Sequence, residues 1–427
     1  MYLKLNKSMP SIRTLAIYLP QFHPIPENNA AWGDGFTEWT NVKKAVPLFD
    51  GHYQPHVPHS DFGYYDLNDP EVLVKQAETA KKYGISGFAF YHYWFQGKRL
   101  LNLPLDNMLK SGKPDFPFCF IWANEDWTKR WNNQENEIIA KQNYSFEDDR
   151  EHIRFLCENV FSDKRYITID QKPVFLVYQT EVFPDIRETA SIWREEVKKY
   201  GFKDIYLIRV ERYASDVNIL PESINFDAAM EFAPSIKEFG RQLNVTSPVN
   251  PYVHDYDETV LNTIVKSNPG YKLFRSVFPG WDNTPRKSND PTLFVGSSAG
   301  VFEYFLLESI KYTRQNLAED EQIIFINAWN EWGEGCHIEP DEKNAYAFLE
   351  GCKRAIERSS IQEPGQEDFD RFIKNIGSLV KAQKKRMQYL QSVKDEIEKS
   401  KSYRLGCFIS SVLRFQFRRA FSYLKRK

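Results

Sequence analysis

The chain has 427 residues, 42% of them hydrophobic and 15% aromatic, with 56 Lys and Arg against 58 Asp and Glu. A formal charge of −2 argues against a nucleic-acid binder. A chain this long also buries a core without disulfide or metal staples.

Five cysteines, at 119, 157, 336, 352 and 407, form an odd set with no C-x-x-C spacing, so neither a disulfide framework nor a zinc ribbon is expected and a reducing compartment fits. The first residues lack an apolar signal core, and no run of about 20 apolar residues follows. This predicts a cytosolic protein without a membrane span.

Short apolar, β-rich runs recur at 14–20, 87–95, 117–123, 173–178, 205–210, 228–233, 273–278 and 323–329. None alternates with polar residues, as expected of strands buried on both faces. Between them, 70–83, 146–159, 184–200, 257–267 and 299–317 carry apolar residues at helical spacing. Asp69 and Pro70 read as N-cap and first helical residue, and Gly84 and Gly201 as helix stops. Strands alternating with helices predict parallel βαβ units. Eight of them favour a (β/α)8 barrel over an open sheet, whose Gly-rich phosphate turn after the first strand is missing.

A barrel carries its active site where strands run into the following loops. Polar and aromatic residues do collect there: Gln21 and His23; Tyr91, His92, Tyr93 and Trp94; Asn124, Glu125, Asp126 and Trp127; Tyr178 and Gln179; Arg209 and Glu211; Glu231; Trp281, Asp282 and Asn283. After the eighth run comes Trp329, Asn330, Glu331, Trp332, Gly333, Glu334, Gly335. Glycines there turn the backbone and hold Glu331 and Glu334 close together. Two carboxylates in an aromatic pocket are the chemistry of glycosidic bonds, with an apolar setting raising one pKa to separate acid from base. A structural loop acid is the bland alternative. For Glu125 three readings stand: acid or base, ligand of a sugar hydroxyl, or partner of Lys129 or Arg130. Glu231 in an apolar strand is costly unless paired or functional.

His52, His56 and His59 suggest a metal site, but Pro55 and Pro58 break the register and no cysteine joins them. Hydrogen bonding in a long loop is the preferred reading, and no metal or cofactor is expected. Asp255 and Asp257, like Asp368 and Asp370, match the Asp-x-Asp pattern by which nucleotide-sugar transferases hold a cation, although Asp257 reads more simply as an N-cap.

The barrel is expected over 11–357. Beyond it, 358–400 keeps a seven-residue apolar register (Phe369, Phe372, Ile376, Leu379, Leu390, Val393, Ile397) broken by Gln383 and Arg386. A helix is expected, either self-pairing into a homo-oligomer or folding back. Residues 401–427 carry eight Lys or Arg and no acid, with Leu405, Phe408, Val412, Phe417 and Phe421 at helical spacing. An interfacial helix on an anionic membrane surface is the favoured reading, ahead of a packed terminal helix and of nucleic-acid binding.

Six motifs carry a resemblance. They are Leu-Pro-Gln-Phe-His-Pro-Ile-Pro-Glu-Asn (19–28), Trp-Gly-Asp-Gly-Phe-Thr-Glu-Trp-Thr-Asn-Val (32–42), Gly-Phe-Ala-Phe-Tyr-His-Tyr-Trp-Phe (87–95), Trp-Ala-Asn-Glu-Asp-Trp-Thr-Lys-Arg-Trp (122–131), Gly-Trp-Asp-Asn-Thr-Pro-Arg (280–286) and Asn-Ala-Trp-Asn-Glu-Trp-Gly-Glu-Gly (327–335). Over about 11–355 the chain resembles the WbsX family, proteins of bacterial lipopolysaccharide and capsule gene clusters usually labelled glycosyltransferases. That family is similar to the endo-α-mannosidases of glycoside hydrolase family 99, (β/α)8 barrels with a Glu-Trp-His-Glu-Gly motif.

The resemblance implies that Glu331 deprotonates the sugar 2-hydroxyl, which attacks C1 to form a 1,2-anhydro sugar, and that Glu334 is general acid, then base. Gly333 departs from the relatives' His. Sugar contacts are expected from the strand-end residues above and from Trp39, Trp122, Trp329, Asn330 and Trp332. The expected activity makes or cleaves glycosidic bonds of a surface oligosaccharide or polysaccharide at the inner membrane face. Transfer and hydrolysis both stay open, as does a non-catalytic glycan-binding protein.

Overall fold

In the computed structural model the chain divides into two units, Met1–Ser360 and Ile361–Lys427. The structure describes residues 12–129, 134–212, 219–287 and 289–360. The helix expected over 358–400, from 361 on, and the basic 401–427 segment lie outside the described residues, as do Asp368, Asp370 and Cys407.

The first unit is a (β/α)8 barrel. Its strands are β1 (Arg13–Tyr18), β2 (Gly87–Phe95), β3 (Phe118–Trp122), β4 (Lys172–Val177), β5 (Tyr206–Glu211), β6 (Ala228–Glu231), β7 (Leu273–Phe274 and Ser276–Val277) and β8 (Ile323–Ile326). Neighbours in sequence are neighbours in the sheet, all parallel, and β1 pairs with β8 in the register Arg13 with Ile323 and Ala16 with Ile326. The ring closes through β7, whose first half pairs with β6 and whose second half pairs with β8, on either side of Arg275. The apolar runs are continuous because these strands are covered on both faces: Leu15, Ala16 and Ile17 of β1 and all of β8 are fully buried.

The helices are α1 (Pro26–Trp32), α2 (Glu38–Val42), α3 (Pro70–Lys82), α4 (Leu103–Ser111), α5 (Phe146–Leu156), α6 (Ile186–Lys199), α7 (Tyr256–Val265), α8 (Ala299–Asn316) and α9 (Ala347–Ser359). Asp69 caps α3, its side chain accepting from the Glu71 amide at 3.0 Å, with Pro70 in the first turn. Gly84 and Gly201 sit at φ +86° and +87°, where a side chain is strained. The cap of α7 is Asp255, whose side chain accepts from the Glu258 amide at 3.0 Å, and not Asp257, which lies in the first turn. The helix starts early because Tyr256 packs inward and donates to the Phe278 carbonyl at 2.7 Å. Between β5 and β6 the described residues hold a 3-10 turn, Pro221–Ile224, and no α-helix.

Among the described residues no helix is long and apolar enough to cross a membrane, no group of three or more His, Cys, Asp or Glu is placed to hold a metal ion, and the four described cysteines are buried and free.

Candidate active site

The stretch after β8 is fastened before it turns. Asn330 presents both amide atoms to the Leu19 backbone, accepting from its N–H at 2.7 Å and donating to its carbonyl at 2.9 Å. Asn330 and Glu331 then pair antiparallel with His337 and Cys336, and the tight turn Trp332–Glu334 between them ends in Gly335 at φ +56°. Glu339 anchors this hairpin from below the surface. Its carboxyl accepts from the Trp332 and Trp329 indoles at 2.8 and 3.2 Å, from the Tyr65 hydroxyl at 2.9 Å and from the Gln76 amide at 2.7 Å. Burial pushes the Glu339 carboxyl up to about 7 against the pull of those donors.

The turn brings Glu331 and Glu334 to the wall of an open hollow of about 300 Å³ at the C-terminal end of the barrel strands. A residue that sequence reasoning did not single out joins them. Arg286 Nη2 donates to Glu331 at 2.8 Å, Nη1 lies 2.9 Å from Glu334, and Nε donates to Glu38 of α2 at 2.8 Å. Glu38 is wholly buried. Burial alone would weaken the guanidinium's hold on its proton, but the three carboxylates outweigh it and raise its pKa. Burial likewise pushes Glu331 up to about 8, opposed by Arg286 and helped by Glu334 and Glu38. Glu334 is raised for the same first reason and against the same cation. One cation faces three carboxyl groups, so burial and like-charge repulsion favour the protonated form of the pair lining the hollow.

Gly333 is fixed by this cluster. A Cβ there would lie 1.8 Å from Glu38 Oε1 and 2.7 Å from Arg286 Nε. The space a side chain would take at 333 is filled by the Glu38–Arg286 pair.

The rest of the lining comes from Tyr91, Tyr93, Glu125, Trp127, Tyr178 and Trp281, with Phe95 and Phe232 adding apolar area. Burial raises the pKa of Tyr91 and of Tyr93, helped by Tyr178 and by Glu331 respectively, so both phenols remain donors. Glu125 accepts from the Gln179 side chain at 2.6 Å.

The other expected contacts do not line this hollow. Strand alternation turns His92 and Trp94 to the outside of β2, where His92 meets His152 at 3.0 Å and the Trp94 indole donates to Asp148 at 3.0 Å. Trp122 faces the same way, against His152 and Trp193. Glu231 also points outward, paired with Lys266 and 3.6 Å from Arg275. Asn124 ties loop to loop, bonded to both backbone groups of Gln179. His23 bonds to the Pro20 carbonyl and Asn283 accepts from the Thr292 amide. Trp39, Trp329 and Trp332 are buried behind the turn, Trp39 and Trp332 packed against each other with ring centroids 5.3 Å apart. The walls are thus more tyrosine than tryptophan. Asp282, nearly buried, accepts from His52 at 2.7 Å and Gln54 at 2.6 Å, which holds it below the usual carboxylate range despite burial.

A family model described as glycosyltransferase WbsX matches residues 14–352. Two curated relatives, the uncharacterized WxcX proteins of two strains of Xanthomonas campestris pv. campestris, are each 37% identical over 349 residues, covering 81% of this chain and 50% of their own. The chain spans about half the length of the curated relatives it matches. Among solved structures, the GH99 endo-alpha-mannosidase from Bacteroides thetaiotaomicron superposes with a TM-score of 0.50 at 17% identity, covering 81% of this chain and 97% of that one. A glycoside hydrolase-like protein gives 0.53 at 14% identity, covering 83% and 97%. Those identities speak to the barrel alone. The match of the family model over most of the first unit, from β1 to α9, says more: this chain belongs to the WbsX glycosyltransferase family.

Proposed function

We propose that the chain works on glycosidic bonds of a surface polysaccharide or its precursor, with Glu331 and Glu334 as its reacting acids. The observation that carries this reading is their meeting on one guanidinium at the wall of a solvent-open, aromatic-lined hollow. Each group has a distinct task. Glu331, the more buried, takes the proton of the sugar 2-hydroxyl as O2 attacks C1. A carboxylate with a raised pKa is the better base for a hydroxyl. The bond from C1 to the leaving oxygen breaks, and Glu334 gives that oxygen its proton.

In the second half Glu334 takes a proton from water or from an acceptor hydroxyl, whose oxygen attacks C1. The C1–O2 bond opens, and O2 recovers the proton held by Glu331. Two inversions at C1 give net retention. Glu334, more exposed than Glu331, is the one an incoming acceptor reaches. Tyr91 and Tyr93 supply hydroxyl donors, and Trp127 and Trp281 flat apolar faces for the sugar ring. Water as acceptor gives hydrolysis; a sugar hydroxyl gives transfer.

The barrel resembles that of an endo-α-mannosidase, so α-linked mannose oligosaccharides are the first substrates to test. Proton NMR of α-mannotetraose incubated with the full chain should reveal shorter or longer products whose new anomeric centre first appears in the α configuration. First products in the β configuration contradict the two-step route, and an unchanged tetraose contradicts the choice of sugar.

A further inference from the structure

A second hollow of about 170 Å³ lies beside the first, and Trp281 belongs to the walls of both. What separates them is a backbone junction next to Glu334, where the Asp282 N–H donates to the Glu334 carbonyl at 2.5 Å. The mechanism proposed for Glu331 and Glu334 makes no use of this space, and its walls mix polar side chains with apolar ones.

The hydrogen-bond chain behind it fixes the state of its imidazoles. The Glu339 carbonyl can only accept, so His337 carries its proton on Nδ1 and turns a lone pair on Nε2 toward His56. His56 must then donate from Nδ1, at 2.9 Å. Its Nε2 is left with a lone pair and no partner among the described residues. The His337 ring cannot swing away, being stacked on Trp332 at 3.7 Å between centroids. Burial lowers both pKa values, that of His337 to about 4, so both rings are neutral at pH 7. His52 is fixed the other way: the Leu48 amide donates to its Nδ1, so its Nε2 donates to Asp282. The second hollow therefore offers a neutral acceptor at His56, a cation at Lys343, the carboxylate of Asp341 and one face of Trp281. Mixed donors and acceptors beside an aromatic ring suit a neutral polyhydroxylated ligand.

We propose that this hollow seats the sugar unit adjoining the one whose bond reacts, with His56 Nε2 accepting from one of its hydroxyls and Trp281 common to both units. The proposal rests on the glycosidic reading of the first hollow and adds that the ligand is at least two sugars long.

Isothermal titration of the full chain with α-mannotetraose and with methyl α-mannoside tests it. The tetraose should bind at least about tenfold more tightly. His56→Phe, which keeps a ring and removes the acceptor, should weaken tetraose binding about tenfold, roughly the worth of a buried hydrogen bond. It should leave methyl mannoside unchanged. His56→Gln, which returns an acceptor oxygen, should recover most of the loss. Ser297→Trp fills the hollow from its exposed rim and should act like His56→Phe. A tetraose advantage that survives both His56→Phe and Ser297→Trp overturns the second subsite and leaves the first hollow's reading intact. Binding of neither saccharide by the unaltered chain overturns both.

Discussion

Arg286 is the residue on which the two acids depend, and its position was hidden in the sequence. It ends the 280–286 motif, but nothing in the spacing says that a residue 45 positions before Glu331 closes on it, or that Glu38 arrives from the other end of the chain. Buried ion pairs across a barrel leave no local signature. The alternation of β2 was legible, by contrast: a period of two already separates Tyr91 and Tyr93 from His92 and Trp94, and only the assumption that all four face inward hid it. Removing the cation has a definite sign. Glu331 holds its proton more tightly in the folded protein than the roughly 4.3 of an unfolded glutamate. The associated stability is therefore complete below that value and lost as pH rises through about 8. Arg286→Met deletes the charge that opposes this shift, so ionising Glu331 requires a higher pH. The ascending limb of kcat/KM against pH should move up by about one unit, with kcat down about a hundredfold. An unmoved limb would mean that Arg286 does not govern the pair.

At the scale of elements, strands were legible because burial on both faces writes itself as unbroken apolar runs. Ends were less so: the run at 323–329 yields a strand of Ile323–Ile326, since Trp329 and Asn330 leave the ladder to bond with β1 and the residues beyond it. The carboxylate of Glu339 was missed because it follows the motif instead of sitting in it, and its role is to hold two indoles, not substrate. The hairpin itself makes a quantitative claim. Gly333→Ala pushes a methyl into Glu38 and should cost about 2 kcal/mol in urea unfolding, as overpacking does. In a Glu38→Ala background the clash is relieved, so the same change should cost well under half as much. Strict additivity of the two substitutions would show that the turn is not packed against Glu38.

For the whole molecule, the topology converts distant sequence into one site. Eight parallel strands bring the residues following β1, β3, β7 and β8 to one rim, so motifs hundreds of residues apart share a hollow a few residues across. The alternation of runs and amphipathic stretches was enough to foresee this architecture, and with it the rim that carries the hollow. Which side chains reach the hollow depends on packing among loops of irregular backbone, and periodicity does not encode that. The proposed function has Glu331 and Glu334 act together on a sugar held there. Its most direct test is turnover of α-mannotetraose by Glu334→Gln, with binding followed on the same samples. Loss of turnover by at least a thousandfold with the dissociation constant within about threefold of the unaltered chain is the predicted result. Undiminished turnover would contradict it.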